Sequence, residues 1–280
     1  MQVVLFSKML QDDTIEQLIE RAHKYGAEGY DLCVRPGYAV NPDNAAEALP
    51  KAVEQMAAKN LKIAMITGNF DLLTVDHPTT IPILSAMDRA NVRLLKLGYF
   101  KFDPLTQDYW AEVDRIRRAF ADWEKLGRQY NVKICYHTHS DHCMGGNCAA
   151  MCHLIRDFDP SCIGAYIDPA HMLIEGEEFE VGLAMIREYL SIVALKDVML
   201  TREPKDGHGK MHSEFVMSGE GMVDWTKVFA DLVRERFDGP LTVHCQFDMT
   251  PEQIPGIMKS EVSFYKAQKE RALSAGLAAR

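Results

Sequence analysis

"KICYHTHSDHCMGG", residues 133–146, runs from an apolar segment straight into ionisable side chains. Ile134, Cys135 and Tyr136 read as a short strand buried on both faces. The run stops at His137, and His139, Asp141, His142 and two glycines follow. Seven more runs of this kind lie along the chain: "VVLFS" (3–7), "YDLCV" (30–34), "KIAMIT" (62–67), "LLKLGY" (94–99), "IGAYID" (163–168), "IVALKD" (192–197) and "LTVHCQ" (241–246).

Helical patterns separate them. "DTIEQLIERAHKYG" places Ile15, Leu18, Ile19 and Ala22 on one face, between an Asp13/Thr14 start and a Gly26 stop. Further helices are predicted over 43–59, 79–90, 108–130, 146–157, 178–189, 224–236 and 251–272. In the penultimate one Trp225, Val228, Phe229 and Leu232 align. Eight strand–helix units in 280 residues predict an α/β fold with one domain over 1–280, a single (β/α)8 TIM barrel. A doubly wound open sheet would need a glycine-rich turn after the first strand, and "FSKMLQDD" has none.

Net charge is −9, with no basic run longer than "RIRR" (115–118), which argues against a nucleic-acid partner. No stretch of 18 apolar residues predicts a membrane span. "MQVVLFSKML" lacks the basic start and cleavage site of a signal peptide, so a cytoplasmic location is the expectation. The seven cysteines include a cluster, Cys143, Cys148 and Cys152, whose spacing fits no common metal pattern. They are expected to be structural thiols.

A barrel keeps its chemistry at the C-terminal ends of its strands. Those ends carry Arg35, Lys96 with Tyr99 nearby, His137 and His139, Asp168 with His171, Lys196 and Asp197, and His244 with Gln246. Independent structural needs rarely gather so many ionisable groups on one rim. Two imidazoles and a carboxylate, His137, Asp168 and His244, would suit one divalent metal ion: manganese, zinc or iron. His139 or His171 would move protons, and Lys196 would stabilise an oxyanion. Arg35, Lys96, Tyr136 and Gln246 are the expected substrate contacts. "GHGKMH" (207–212) reads either as a flap over the pocket or as a mobile polar loop.

"YHTH", "IDPAH", "ALKD", "GEGMVDW" and "FDGPLTVHCQ", in that order, resemble the xylose isomerase-like barrels known as sugar phosphate isomerases/epimerases. "YHTHSDH" is similar to a branch with His-x-His on strand 5. The resemblance implies a small carbohydrate substrate, a divalent metal and, as an option, a homo-oligomer. Many members hold that metal with Glu, Asp, His and Glu on strands 5 to 8. Here those positions are His137, Asp168, Ala194 and His244, so a mechanism shuttling protons between two glutamates cannot carry over intact. The expected reaction is isomerisation or epimerisation through an enediolate. The alternatives are β-elimination from a keto sugar, a non-catalytic sugar-binding barrel and, least favoured on charge, an apurinic-site endonuclease.

Overall fold

Ten strands form in the computed structural model, which describes residues 1–247, 249–250 and 252–278. They are β1 (Gln2–Phe6), β2 (Gly29–Cys33), β3 (Lys62–Thr67), β4 (Leu94–Lys96), β5 (Lys133–His137), β6 (Ile163–Ile167), β7 (Leu190–Leu195), β8 (Asp197–Lys205), β9 (His208–Val216) and β10 (Pro240–Val243). Eight close into a parallel barrel, running β1 to β7 in sequence and then β10, which pairs with β1. The (β/α)8 expectation holds.

Nine helices accompany the strands among the described residues: α1 (Ile15–Tyr25), α2 (Ala45–Ala57), α3 (Thr80–Ala90), α4 (Tyr109–Tyr130), α5 (Cys148–Ile155), α6 (Pro169–Ile174), α7 (Phe179–Ile186), α8 (Trp225–Arg234) and α9 (Ile254–Ala278). The capping logic is visible in α1. Thr14 and Gln17 form a reciprocal capping box, and Gly26 ends the helix at a left-handed φ of 77°. In α8 the aligned Trp225, Val228, Phe229 and Leu232 are all buried. Each such apolar side chain contributes about 1.5–3 kcal/mol by leaving water.

Two features were not in the sequence reading. The "DPAH" turn starts the short helix α6, with Asp168 as its N-cap and Pro169 in its first turn. The segment after β7 is an antiparallel hairpin, β8–β9, with "GHGKMH" at its tip. That tip is exposed, neither a loose loop nor a lid lying on the barrel. Lys210 and Met211 instead line an outer cleft together with Asp141, His142 and Gly145.

All seven cysteines are free thiols. Cys148 is packed against Met172, which agrees with a structural role. No helix among the described residues is long and apolar enough to cross a membrane.

Candidate active site

Side chains alternate across a strand, and that alternation sorts the residues of β5. His137 points into the barrel and stacks on Tyr166 with ring centroids 4.0 Å apart. Tyr136 points the other way. It is fully buried, its hydroxyl donates to the Met144 carbonyl at 2.9 Å, and it accepts from the Phe100 amide at 3.1 Å. The expectation that Tyr136 contacts substrate is therefore corrected: it anchors the β5–α5 loop from outside the barrel.

Asp168 is the hub of the interior. It is fully buried, and its Oδ1 accepts from the amides of Ala170 and His171 at 3.0 and 3.2 Å. Around Oδ2 stand Lys196 Nζ at 3.1 Å, His137 Nε2 at 3.4 Å and His171 Nε2 at 3.9 Å. Burial pushes this carboxyl up, but the opposing pull of Lys196 and the imidazoles leaves it below the ordinary carboxylate range. Lys196 also lies 2.7 Å from His171 Nε2 and donates to Gln246 Oε1 at 3.0 Å. On the other side of that ring, His171 Nδ1 accepts from the Ser140 amide at 3.3 Å and lies 2.8 Å from Ser140 Oγ.

His244 reaches the same centre from the end of β10. Its Nε2 meets the Tyr166 hydroxyl at 2.7 Å, and its ring lies 6.1 Å from that of His137. Phe6 stacks on its other side at 4.4 Å. His137, Asp168 and His244 thus share one region, as the sequence predicts. Burial, followed by the charge of nearby lysines, depresses the basicity of His137, His171 and His244 well below the normal imidazole range. His139 is depressed to about 4, first by burial and then by Lys196.

A small polar cleft opens above this layer. His137, His139, Tyr99, His244 and Gln246 line it together with Lys8, Arg35, Phe70 and Lys96. Asp168, His171 and Lys196 lie behind this lining, so two of the three residues expected to be catalytic, His171 and Lys196, do not face the cleft. His139 is the third, and it faces the cleft. Its Nδ1 sits 2.9 Å from the Ser140 carbonyl, which can only accept, so Nδ1 carries the proton and Nε2 keeps its lone pair.

Asp197 belongs elsewhere. Fully buried, it accepts from the amides of Val198, Gly219 and Val223 and from Trp225 Nε1, at 2.9, 2.9, 3.2 and 3.0 Å. It fastens the hairpin and "GEGMVDW" to the end of β7.

Tyr99, read only as a rim neighbour of Lys96, meets His137 Nδ1 at 2.8 Å. Other site residues went unread in the sequence: Phe215 packs on His171 and under Lys196. Asp31, fully buried below the cleft, accepts from Thr67 at 2.6 Å and from Thr242 at 3.3 Å. Burial pushes its pKa up to about 6. A carboxylate inside the apolar run "YDLCV" was the available signal.

The metal expectation can be tested on the donor atoms. His137 Nε2, Asp168 Oδ2 and His244 Nδ1 are buried without a hydrogen-bond partner. Of the three, Oδ2 is ion-paired with Lys196 at 3.1 Å. Buried polar atoms left unpaired are costly, and these three are the expected ligand set, each in the deprotonated form a metal requires. The chemistry of the set fits a divalent ion. Among the described residues, no three His, Cys, Asp or Glu side chains already converge on one point at ligand distance, so an ion would have to draw them inward.

Comparison with known proteins agrees with this architecture. The family model described as "xylose isomerase-like TIM barrel" matches residues 19–268. An inosose dehydratase of Bacillus cereus is 23% identical over 214 residues, covering 72% of this chain and 67% of that protein. L-ribulose 3-epimerase superposes with a TM-score of 0.72 at 13% identity, covering 100% of this chain and 98% of that one. A xylose isomerase-like TIM barrel protein from Mycobacterium smegmatis, solved in complex with magnesium, superposes with a TM-score of 0.68 at 12% identity, covering 97% of each chain.

Proposed function

Since the chain belongs to the xylose isomerase-like TIM barrel family, we propose that it is an enzyme that removes a proton next to the carbonyl of a small sugar or sugar derivative. The observation that carries this is the neutral His139, lone pair on Nε2, lining the polar cleft at the barrel mouth. His139 takes the proton. Tyr99 and the amide of Gln246 line the cleft as donors to the oxygen on which charge develops. Lys196 fixes Gln246 by donating to its Oε1, which turns the amide N–H groups away from itself. Returning the proton to the neighbouring carbon gives an isomer, and returning it to the opposite face gives an epimer.

A second reading, β-elimination, shares the first step. The enediolate expels a hydroxyl from the β carbon, and that hydroxyl leaves as water after taking a proton. The curated matches favour it, since all four are inosose dehydratases at 22–26% identity. Those alignments span 43–67% of the relatives' lengths. The neighbour solved with magnesium supports a divalent ion in either case. His137, Asp168 and His244 would hold it, and when bound it would polarise the substrate oxygens.

The test is solvent deuterium wash-in, followed by mass spectrometry, over a panel of ketoses, keto-inositols and sugar acids. The proposal requires exchange by the wild-type chain that falls at least about 100-fold in His139→Gln. No exchange with any member, or equal exchange by the variant, overturns it. Loss of 18 mass units from one substrate selects elimination.

A further inference from the structure

One wall of the cleft is cationic and lacks counter-charges. Lys8, Arg35 and Lys96 all surround the ring of Phe70, with Nζ, Cζ and Nζ at 5.9, 4.2 and 6.0 Å from its centroid. Among the described residues none of the three forms an ion pair with a carboxylate. Lys8 and Lys96 make no side-chain hydrogen bond, and the single one from Arg35, Nε to the Gly68 carbonyl at 2.8 Å, leaves its two Nη groups free. Lys96 is only 4% exposed and lines the cleft. Burial, and then the Arg35 charge beside it, lower the basicity of Lys96 well below the ordinary lysine range, and its Nζ rests on the Tyr99 ring, 3.7 Å from the centroid; an anion among the three cations would restore that charge. Asp31 below offsets part of this, but its oxygens are engaged by Thr67 and Thr242.

The backbone keeps the arrangement in place. Gly98 packs so closely on the Phe70 carbonyl that a Cβ there would collide with it, which holds Phe70 at the mouth. The ring stays 55% exposed beneath the three cations instead of folding into the core.

We infer that this corner is an anion subsite, and that the ligand of the cleft carries a carboxylate or a phosphate seated among Lys8, Arg35 and Lys96. The Arg35 Nη pair supplies a planar fork, and the two ammonium groups supply point charges on either side. His139, Tyr99 and Gln246 then face the remainder of the ligand. The inference rests on the proposed sugar chemistry only for the identity of that remainder. A neutral sugar would leave the three cations uncompensated, whereas a sugar acid or sugar phosphate would not.

Isothermal titration of the whole chain with malonate and with inorganic phosphate, at two salt concentrations, tests this. The wild type should bind one of them with a Kd of about 1 mM or tighter. Affinity should fall as salt rises. Lys8→Gln, at a half-buried position, should weaken binding at least ten-fold with its melting temperature unchanged. Arg35→Gln should weaken it similarly. Preference for malonate assigns a carboxylate, and preference for phosphate assigns a phosphate. If neither anion binds, or if both variants bind like wild type, the subsite is wrong. Anion binding without deuterium exchange on any sugar would leave the subsite standing and remove the sugar chemistry. Exchange without anion binding would do the reverse.

Discussion

Lys196 Nζ stands 3.1 Å from Asp168 Oδ2 and 2.7 Å from His171 Nε2, with all three side chains out of reach of solvent. A buried charge that loses its partner costs about 3–5 kcal/mol, whereas removing both members of a pair can be nearly neutral. Lys196→Met should therefore destabilise the chain by about that amount in urea unfolding. Lys196→Met/Asp168→Asn should recover most of the loss. Neither should regain deuterium exchange, because Gln246 stays unfixed. Recovery of exchange in the double variant would show that Lys196 is only structural.

The two tyrosines near His137 separate structure from chemistry. Tyr136→Phe leaves the Phe100 amide and the Met144 carbonyl unpaired in the core, a loss of about 1–3 kcal/mol. Exchange kinetics should be untouched. Tyr99→Phe removes the bond to His137 Nδ1 and a donor from the cleft. It should lower kcat at least about ten-fold with a smaller change in stability. The reverse pattern would restore Tyr136 as a substrate contact.

The barrel was readable because each strand is a short apolar run ending at a turn, and eight in succession admit few arrangements. The rim was readable because ionisable side chains at strand ends violate the apolar rule visibly. What period-2 alternation on short strands could not settle was which way each residue faces. Tyr136 and His137 are neighbours with opposite roles. Asp197 follows Lys196, yet it fastens the hairpin while Lys196 supports the site. The supporting layer was also hidden, since contacts such as Tyr166 to His244, 78 residues apart, leave no trace in local pattern. The hairpin was missed because Asp197–Lys205 and His208–Val216 are largely polar, which reads as loop.

Asp197 makes that hairpin testable. Its carboxylate receives four N–H groups, and Asp197→Ala would leave them unsatisfied in the interior. A loss of about 3 kcal/mol or more follows, together with faster proteolysis between residues 203 and 211. Unchanged proteolysis would mean that the hairpin is held by its own pairing alone.

Stability should depend on pH through the imidazoles. The unfolded chain protonates them near 6.5. Folded His139 takes its proton only near 4, and His137, His171 and His244 are also depressed. Below 6.5 the unfolded state therefore binds more protons, and stability falls as pH falls. Above 6.5 this contribution is fully present. His139 adds about 1.4 kcal/mol per pH unit to the slope between about 6 and 4, and the other three act in the same direction. Urea midpoints measured from pH 8 to 4.5 should be flat and then drop steeply. His139→Gln should reduce the slope by one proton's worth, and an unchanged slope would place His139 in solvent.

The three candidate donor atoms lead to the last expectation. If His137 Nε2, Asp168 Oδ2 and His244 Nδ1 take a divalent ion, occupancy satisfies all of them together and must compete with Lys196 for Oδ2. Elemental analysis of chain dialysed against manganese, zinc or iron(II) should find about one ion per chain. Asp168→Asn should abolish it. Binding should raise the melting temperature, because the folded state alone presents the assembled set. Lys196→Met, which removes the competing ammonium, should tighten it. An Asp168→Asn chain with undiminished metal content would put the ion elsewhere, and a Lys196→Met chain that binds more weakly would make that ammonium a support for the ligands instead of their rival.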